Sequence, residues 1–213
     1  MDVQRFKANP LMAILRDVEA NQLAPLLEAV IAAGWETLEI TMNTDVAPEL
    51  IHAARRFSRD RLMIGAGTVL TKRQLQTART AGASFIVMPV LVEDVVQACV
   101  NDHIPVFPGA LTPQEIWNAW RAGATMVKVF PAHVVGPEYF KELQGPFKGI
   151  ELMACGGVTA DNITAYLQSG ACACAAGSGV FRKEWLGTKN YSRITHTLTA
   201  YRTALADARN SSA

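Results

Sequence analysis

The sequence predicts an α/β fold, a single-domain (β/α)8 barrel of the TIM type over residues 1–213, and three observations carry that prediction. Short apolar runs alternate with helical patterns from end to end. A glycine-ended phrase recurs where each helix hands over to a strand. No linker or shift in composition divides the chain.

The candidate strands are 11–16, 37–42, 62–67, 85–88, 105–107, 126–130, 150–154 and 172–176, each rich in β-branched or apolar residues. Between them apolar residues recur at helical spacing, as in Leu23, Leu26, Leu27, Val30 and Ile31. The recurring phrase is Ala33-Gly34-Trp35, Ala81-Gly82-Ala83, Ala122-Gly123-Ala124 and Ser169-Gly170-Ala171, where glycine suits the left-handed residue that ends a helix. Helices restart on polar residues: Thr71, Thr112-Pro113 with Glu115 at capping-box distance, and Thr159-Ala160-Asp161-Asn162. Residues 191–208 form a closing helix, and 209–213 are expected to fray. An open doubly wound sheet would more naturally carry GxGxxG after its first strand, and Leu15-Arg16-Asp17-Val18 is unlike it.

Composition excludes several function classes. Half of the residues are apolar, 18% are charged, and 20 basic residues are scattered among 19 acidic ones, for a net charge of +1. Nucleic acid is therefore not an expected partner. No stretch approaches the ~20 apolar residues of a membrane span, and the N-terminus lacks a secretory pattern. Cys99, Cys155, Cys172 and Cys174 lack Cys-x-x-Cys spacing, and His52, His103, His133 and His196 lack metal-ligand spacing. The expectation is a cytoplasmic protein in a reducing compartment, with no metal and no cofactor. Trp117 and Trp120, three apart on a helix, should pack internally or against another subunit.

The unusual residues collect at the C-terminal ends of the strands, where barrels place their active sites. Strand 37–42 puts Thr37, Glu39 and Thr41 on one face and Leu38, Ile40 and Met42 on the other. The apolar set suits the helices, which sends Glu39 inward. By the same alternation Lys128 shares an inward face with Met126 and Phe130. Lys128 alone fits a strand-end lysine that snorkels to water. If it is instead covered on both sides, burial lowers its pKa and leaves a neutral amine, a nucleophile toward carbonyls. An interior Lys–Glu couple is better explained by chemistry than by stability, because buried ion pairs seldom outperform apolar residues of similar volume. Arg16 at the rim of the first strand is a natural carboxylate partner. Gly65-Ala66-Gly67-Thr68 reads as a small-residue turn offering a hydroxyl and backbone N–H groups. Cys155-Gly156-Gly157 and Ala176-Gly177-Ser178-Gly179 follow the last two strands, where backbone N–H groups can hold a phosphate.

Together Leu38-Glu39-Ile40-Thr41, Gly65-Ala66-Gly67-Thr68-Val69-Leu70, Val127-Lys128-Val129-Phe130-Pro131-Ala132 and Gly156-Gly157-Val158 resemble the class I 2-keto-3-deoxy-6-phosphogluconate (KDPG) aldolase family over residues 11–181. Val135-Gly136-Pro137-Glu138-Tyr139 is similar to the loop after the lysine strand in many relatives. The resemblance implies a trimeric barrel that cleaves a 2-keto-3-deoxy-6-phospho sugar acid, of phosphogluconate or phosphogalactonate type, to pyruvate and glyceraldehyde 3-phosphate. It implies Lys128 as the imine-forming residue and Glu39 as general acid–base. Arg16 and Thr68 would hold the carboxylate, Pro89 and Phe130 would wall the imine, and Gly156, Gly157, Gly177 and Ser178 would hold the phosphate. Asn43, Met88, His133 and Cys155 depart from the family's commoner residues and bear on the substrate more than on the reaction. Two other readings use the same barrel: cleavage of 4-hydroxy-2-oxoglutarate to pyruvate and glyoxylate, and a non-catalytic sensor of phosphorylated metabolites.

Overall fold

The computed structural model describes residues 1–210. A short helix α1 (Val3–Ala8) precedes β1 (Leu11–Leu15), after which strands and helices alternate. They run α2 (Ala20–Ala32), β2 (Thr37–Thr41), α3 (Ala47–Ser58), β3 (Met63–Gly67), α4 (Lys72–Thr80), β4 (Ile86–Val87) and α5 (Glu93–Asn101). Next come β5 (Val106–Phe107), β6 (Gly109–Ala110), α6 (Pro113–Arg121), β7 (Val127–Val129), α7 (Ala132–Gln144) and β8 (Leu152–Cys155). The chain ends with α8 (Ile163–Gln168), β9 (Ala173–Ala176), α9 (Lys183–Gly187) and α10 (Tyr191–Asn210).

All strand pairings are parallel, in the order β5-β4-β3-β2-β1-β9-β8-β7-β6. These nine segments are the eight predicted staves, because β5 and β6 are one stave broken at Pro108. The carbonyls of Pro105 and Phe107 accept from Ile86 and Met88 at 2.9 and 3.1 Å, toward β4. Those of Val106, Pro108 and Ala110 accept from Thr125, Lys128 and Phe130 at 2.9, 2.9 and 3.0 Å, toward β7. Carbonyls that alternate between two neighbours close the barrel, although proline has no N–H to add. The stave predicted over 105–107 thus continues past Pro108 to Ala110.

Two apolar layers separate inside from outside. Leu38, Ile40, Val127 and Val129 pack with the helices, whereas Met12, Met63, Phe85, Phe107, Met126 and Met153 fill the barrel. The sequence reading contained neither α1 nor α9. α1 plugs the bottom of the barrel: Phe6 is fully buried, edge-on to Phe107 at 5.7 Å, and Phe107 meets Phe85 at 5.8 Å. Burying such a ring is worth about 1.5–3 kcal/mol. Arg5 ties the plug down by donating to the carbonyls of Asp60 and Arg61 at 2.8 and 2.9 Å.

Two of the predicted helix starts and the helix-ending glycines act as predicted. Thr71 Oγ1 accepts from the Gln74 N–H at 3.1 Å, and Thr112 with Glu115 forms the capping box. The four helix-ending glycines 34, 82, 123 and 170 all have positive φ, 76–102°. Trp120 packs into the outer core, while Trp117 lies flat on Phe147 at 5.9 Å and stays 40% exposed. The 135–139 segment lies inside α7, at a break where Gly136 has φ 72° and ψ 175°. Residues 209 and 210 belong to α10, and the rest of the segment expected to fray lies outside the described residues. No helix among the described residues is long and apolar enough to cross a membrane.

All four cysteines are free, and only Cys172 is exposed. Burial pushes the Cys99 thiol up to about 11 and raises those of Cys155 and Cys174 as well. The Cys172 thiol is raised too, but it alone is exposed, so native protein treated with a thiol reagent at pH 8 should lose Cys172 first and the other three only on unfolding. Rapid labelling of Cys99 or Cys174, mapped by mass spectrometry, would contradict this packing.

Candidate active site

Strand alternation carries Glu39 on β2 and Lys128 on β7 into the upper barrel, as predicted. Glu39 is 1% exposed and Lys128 7%. Space for Glu39 comes from β3, whose register sets Glu39 beside Gly65 and Thr41 beside Gly67. A Cβ on Gly67 would lie 1.7 Å from Glu39 Oε1, and one on Gly65 would lie 2.4 Å from the Phe85 ring. Gly65, Ala66 and Gly67 are strand residues, as the predicted strand 62–67 has them, and the two glycines make the room. Only Thr68 lies past the strand, half-buried with a φ of 57°.

Glu39 and Lys128 form no direct ion pair, although they interact through space. Burial raises the Glu39 pKa above its ordinary 4.5, against the pull of Lys128 and Arg16. Burial also disfavours the Lys128 ammonium, but Glu39 and then Cys155 oppose it, and the amine ends above its ordinary 10.5. This corrects the expectation of a lowered lysine pKa: burial was read correctly, but the charge facing it was not weighed. Burial holds Cys155 as a neutral thiol near neutral pH, so Glu39 is the group that keeps Lys128 charged. If Glu39 takes up a proton, the chief opposition to burial is gone, and burial, with Arg16, favours the neutral amine.

The Lys128 Nζ lies 5.2 Å from the centre of the Phe130 ring. Phe130 in turn touches the next loop: a Cβ on Gly156 would sit 3.3 Å from its Cδ2. Pro89 is half-buried after β4, and a Cβ on Gly109 would meet its carbonyl oxygen at 2.1 Å. Arg16 is exposed at the rim, with no hydrogen-bonded or ion-paired partner among the described residues. It is close enough to influence both Glu39 and Lys128.

Gly156 and Gly157 have φ values of 91° and 75°, a backbone conformation that other residues rarely adopt. Gly177 lies against Ile14 of β1, with Ser178 exposed beside it. The N–H groups of Gly156, Gly157, Ser178 and Gly179 donate to no backbone carbonyl among the described residues.

Three further residues shape the site, and of these only Asn43 is singled out by the sequence as bearing on the substrate. Asn162, read as a helix starter, makes no cap bond: it accepts from Thr159 N–H at 2.8 Å and donates to the Gly157 carbonyl at 2.9 Å, fixing the glycine loop. Tyr201 on α10 donates to the Val158 carbonyl at 2.8 Å from behind. Asn43 accepts from Thr41 Oγ1 and donates to Asp17 Oδ1 at 2.6 Å, which ties the β2 rim to the residue after Arg16. Asn162 sits three residues after Thr159, a spacing that could have suggested its turn; Tyr201 gave no such signal. Among the described residues no His, Cys, Asp and Glu cluster could hold a metal ion.

The sequence matches the KDPG and KHG aldolase family over residues 3–197. It is 32% identical to the 2-dehydro-3-deoxy-6-phosphogalactonate aldolase of Escherichia coli K12, over 92% of this chain and 96% of that protein. It is 36% identical to the 2-dehydro-3-deoxy-phosphogluconate aldolase of Pseudomonas aeruginosa PAO1, over 88% and 85%. The fold superposes with a TM-score of 0.85, at 29% identity over 92% of this chain and 95% of the other, on the Legionella pneumophila KDPG aldolase with pyruvate captured as a covalent carbinolamine.

Substituting Gly67→Ala should drive a methyl group into the Glu39 carboxylate. The expected result is at least a hundredfold loss of aldol cleavage with about 1–3 kcal/mol lost from stability. Rate and thermal melting measured on the same preparation check it.

Proposed function

The chain belongs to the KDPG and KHG aldolase family, and from that premise we propose a class I aldolase in which Lys128 is the imine-forming residue and Glu39 its proton carrier. The substrate is a 2-keto-3-deoxy-6-phospho sugar acid, cleaved to pyruvate and glyceraldehyde 3-phosphate. The observation that carries the assignment of roles is a lysine and a glutamate buried in one apolar barrel without a direct ion pair.

In this reading the resting site holds the Lys128 ammonium facing the Glu39 carboxylate. Transfer of one proton to Glu39 frees the amine to attack the C2 carbonyl. Loss of water from the carbinolamine leaves an iminium, with Glu39 supplying and removing protons. The C4 hydroxyl then gives up its proton to the Glu39 carboxylate, and the C3–C4 electron pair passes into the iminium. The aldehyde departs, C3 of the enamine is protonated, and water releases pyruvate. The Phe130 ring and Pro89 keep water from the amine. Arg16 and Thr68 hold the substrate carboxylate at the rim. Gly156, Gly157, Gly177 and Ser178 present N–H groups to the phosphate, and Phe130 joins that loop to the imine pocket.

The assembly is a homotrimer in the cytoplasm. The first part rests on family resemblance, and the second on four free thiols, three of them buried. Light scattering of the purified protein should give three times the 23.1 kDa chain mass.

Incubation with pyruvate and borohydride should add one reduced pyruvate to Lys128, located by peptide mapping; an adduct elsewhere, or none, overturns the mechanism. Because burial raises the Glu39 pKa, catalysis that needs its carboxylate is lost as pH falls through a value above 4.5. Glu39→Gln should lower kcat by about 10²–10⁴ and abolish that acid limb. Phosphorylated substrate should be favoured over its unphosphorylated analogue. Equal rates would remove the phosphate role, and a preference for 4-hydroxy-2-oxoglutarate would move the substrate to that alternative.

A further inference from the structure

Three buried side-chain atoms among the described residues lack a hydrogen-bond partner: Thr37 Oγ1, Glu39 Oε2 and Ser58 Oγ. Two of these lie on one strand. Thr37 and Glu39 are two apart on β2 and share its inward face, with Thr37 one pleat nearer the bottom of the barrel. Thr37 is wholly buried, flanked in register by Met12 of β1 and Met63 of β3, both of the barrel's apolar filling. A hydroxyl among thioethers offers no packing advantage over valine and carries the cost of a buried polar group. One pleat up on the same face is Glu39, whose Oε2 has the same unmet need.

We propose that Thr37 is a positioning residue for Glu39, holding one ordered water that bridges Thr37 Oγ1 and Glu39 Oε2 from beneath. The water donates to Oε2, which favours the charged form of Glu39 and fixes its plane, leaving Oε1 beside Gly67 to face the reacting groups. The inference rests on the proton-carrier role given to Glu39 above. The charged and titratable groups facing that carboxylate are Lys128 from β7, Cys155 from β8 and Arg16 just past β1; on β2 itself the inward face carries Thr37 below and Thr41 above, and the Thr41 hydroxyl is already bonded to the Leu15 carbonyl and Asn43 Oδ1.

Thr37→Val keeps shape and removes the donor. The expected result is about a tenfold lower kcat with KM unchanged, and an acid limb of kcat/KM displaced to higher pH, because losing a donor to the carboxylate raises its pKa. Thr37→Ser should restore both. A high-resolution crystal structure should place a water within hydrogen-bond distance of both oxygens in wild type and none in the valine variant. A valine variant that melts at higher temperature with kcat and acid limb unmoved would mark Thr37 as an idle hydroxyl and overturn the proposal. Pyruvate–borohydride trapping at Lys128 in both proteins separates the two levels: if wild type is not trapped, the aldolase mechanism fails, whereas intact trapping with an unmoved acid limb removes only the role of Thr37.

Discussion

A carboxylate on β2 and an amine on β7, both out of water and not in direct contact, set the terms for the upper half of the barrel. Each is costly to bury alone, and each lessens the cost of the other through space. A salt bridge would have contributed more to stability. Holding them apart leaves a proton that can reside on either group, and a carbonyl carbon needs such a pair to become first a carbinolamine and then an iminium.

The surrounding structure serves that separation. β3 gives up two side chains so that the Glu39 carboxylate and the Phe85 ring can occupy their places. Phe130 lies over the amine and abuts the glycine loop, so the proposed imine pocket and the proposed phosphate site share a wall. Behind that wall, Asn162 and Tyr201 fix the loop through backbone carbonyls, which leaves its N–H groups for a ligand. At the other end α1 closes the barrel with Phe6, which is fully buried against the inner apolar layer. Packing at the bottom and polarity at the top lie along the same inward faces.

Much of this was legible without coordinates. The period-two pattern of 37–42 and 126–130 sends Glu39 and Lys128 inward whatever the neighbouring strands do, because side chains alternate by backbone geometry alone. Helix ends were legible for the same local reason: Gly34, Gly82, Gly123 and Gly170 take the left-handed conformation that Cβ disfavours, and Thr112 with Glu115 satisfies its own helix start. The fifth stave was not, since Pro108 looks like a terminus until carbonyls on either side of it are seen bonding to β4 and β7. α1 was missed because six residues carry too short a period to read, and only the barrel floor gives Phe6 a place to go.

The sequence by itself determined which side chains face inward, where helices start and stop, and which residues could form an imine or cradle an anion. Those properties depend on neighbours a few positions away. Tertiary structure alone decided the charge state of the amine, the room for the carboxylate at Gly67, and the pinning of the glycine loop by Asn162 and Tyr201. Each of these is a matter of distance between groups far apart in the chain. Electrostatic energy and steric overlap depend on that distance, and no spacing along a sequence contains it.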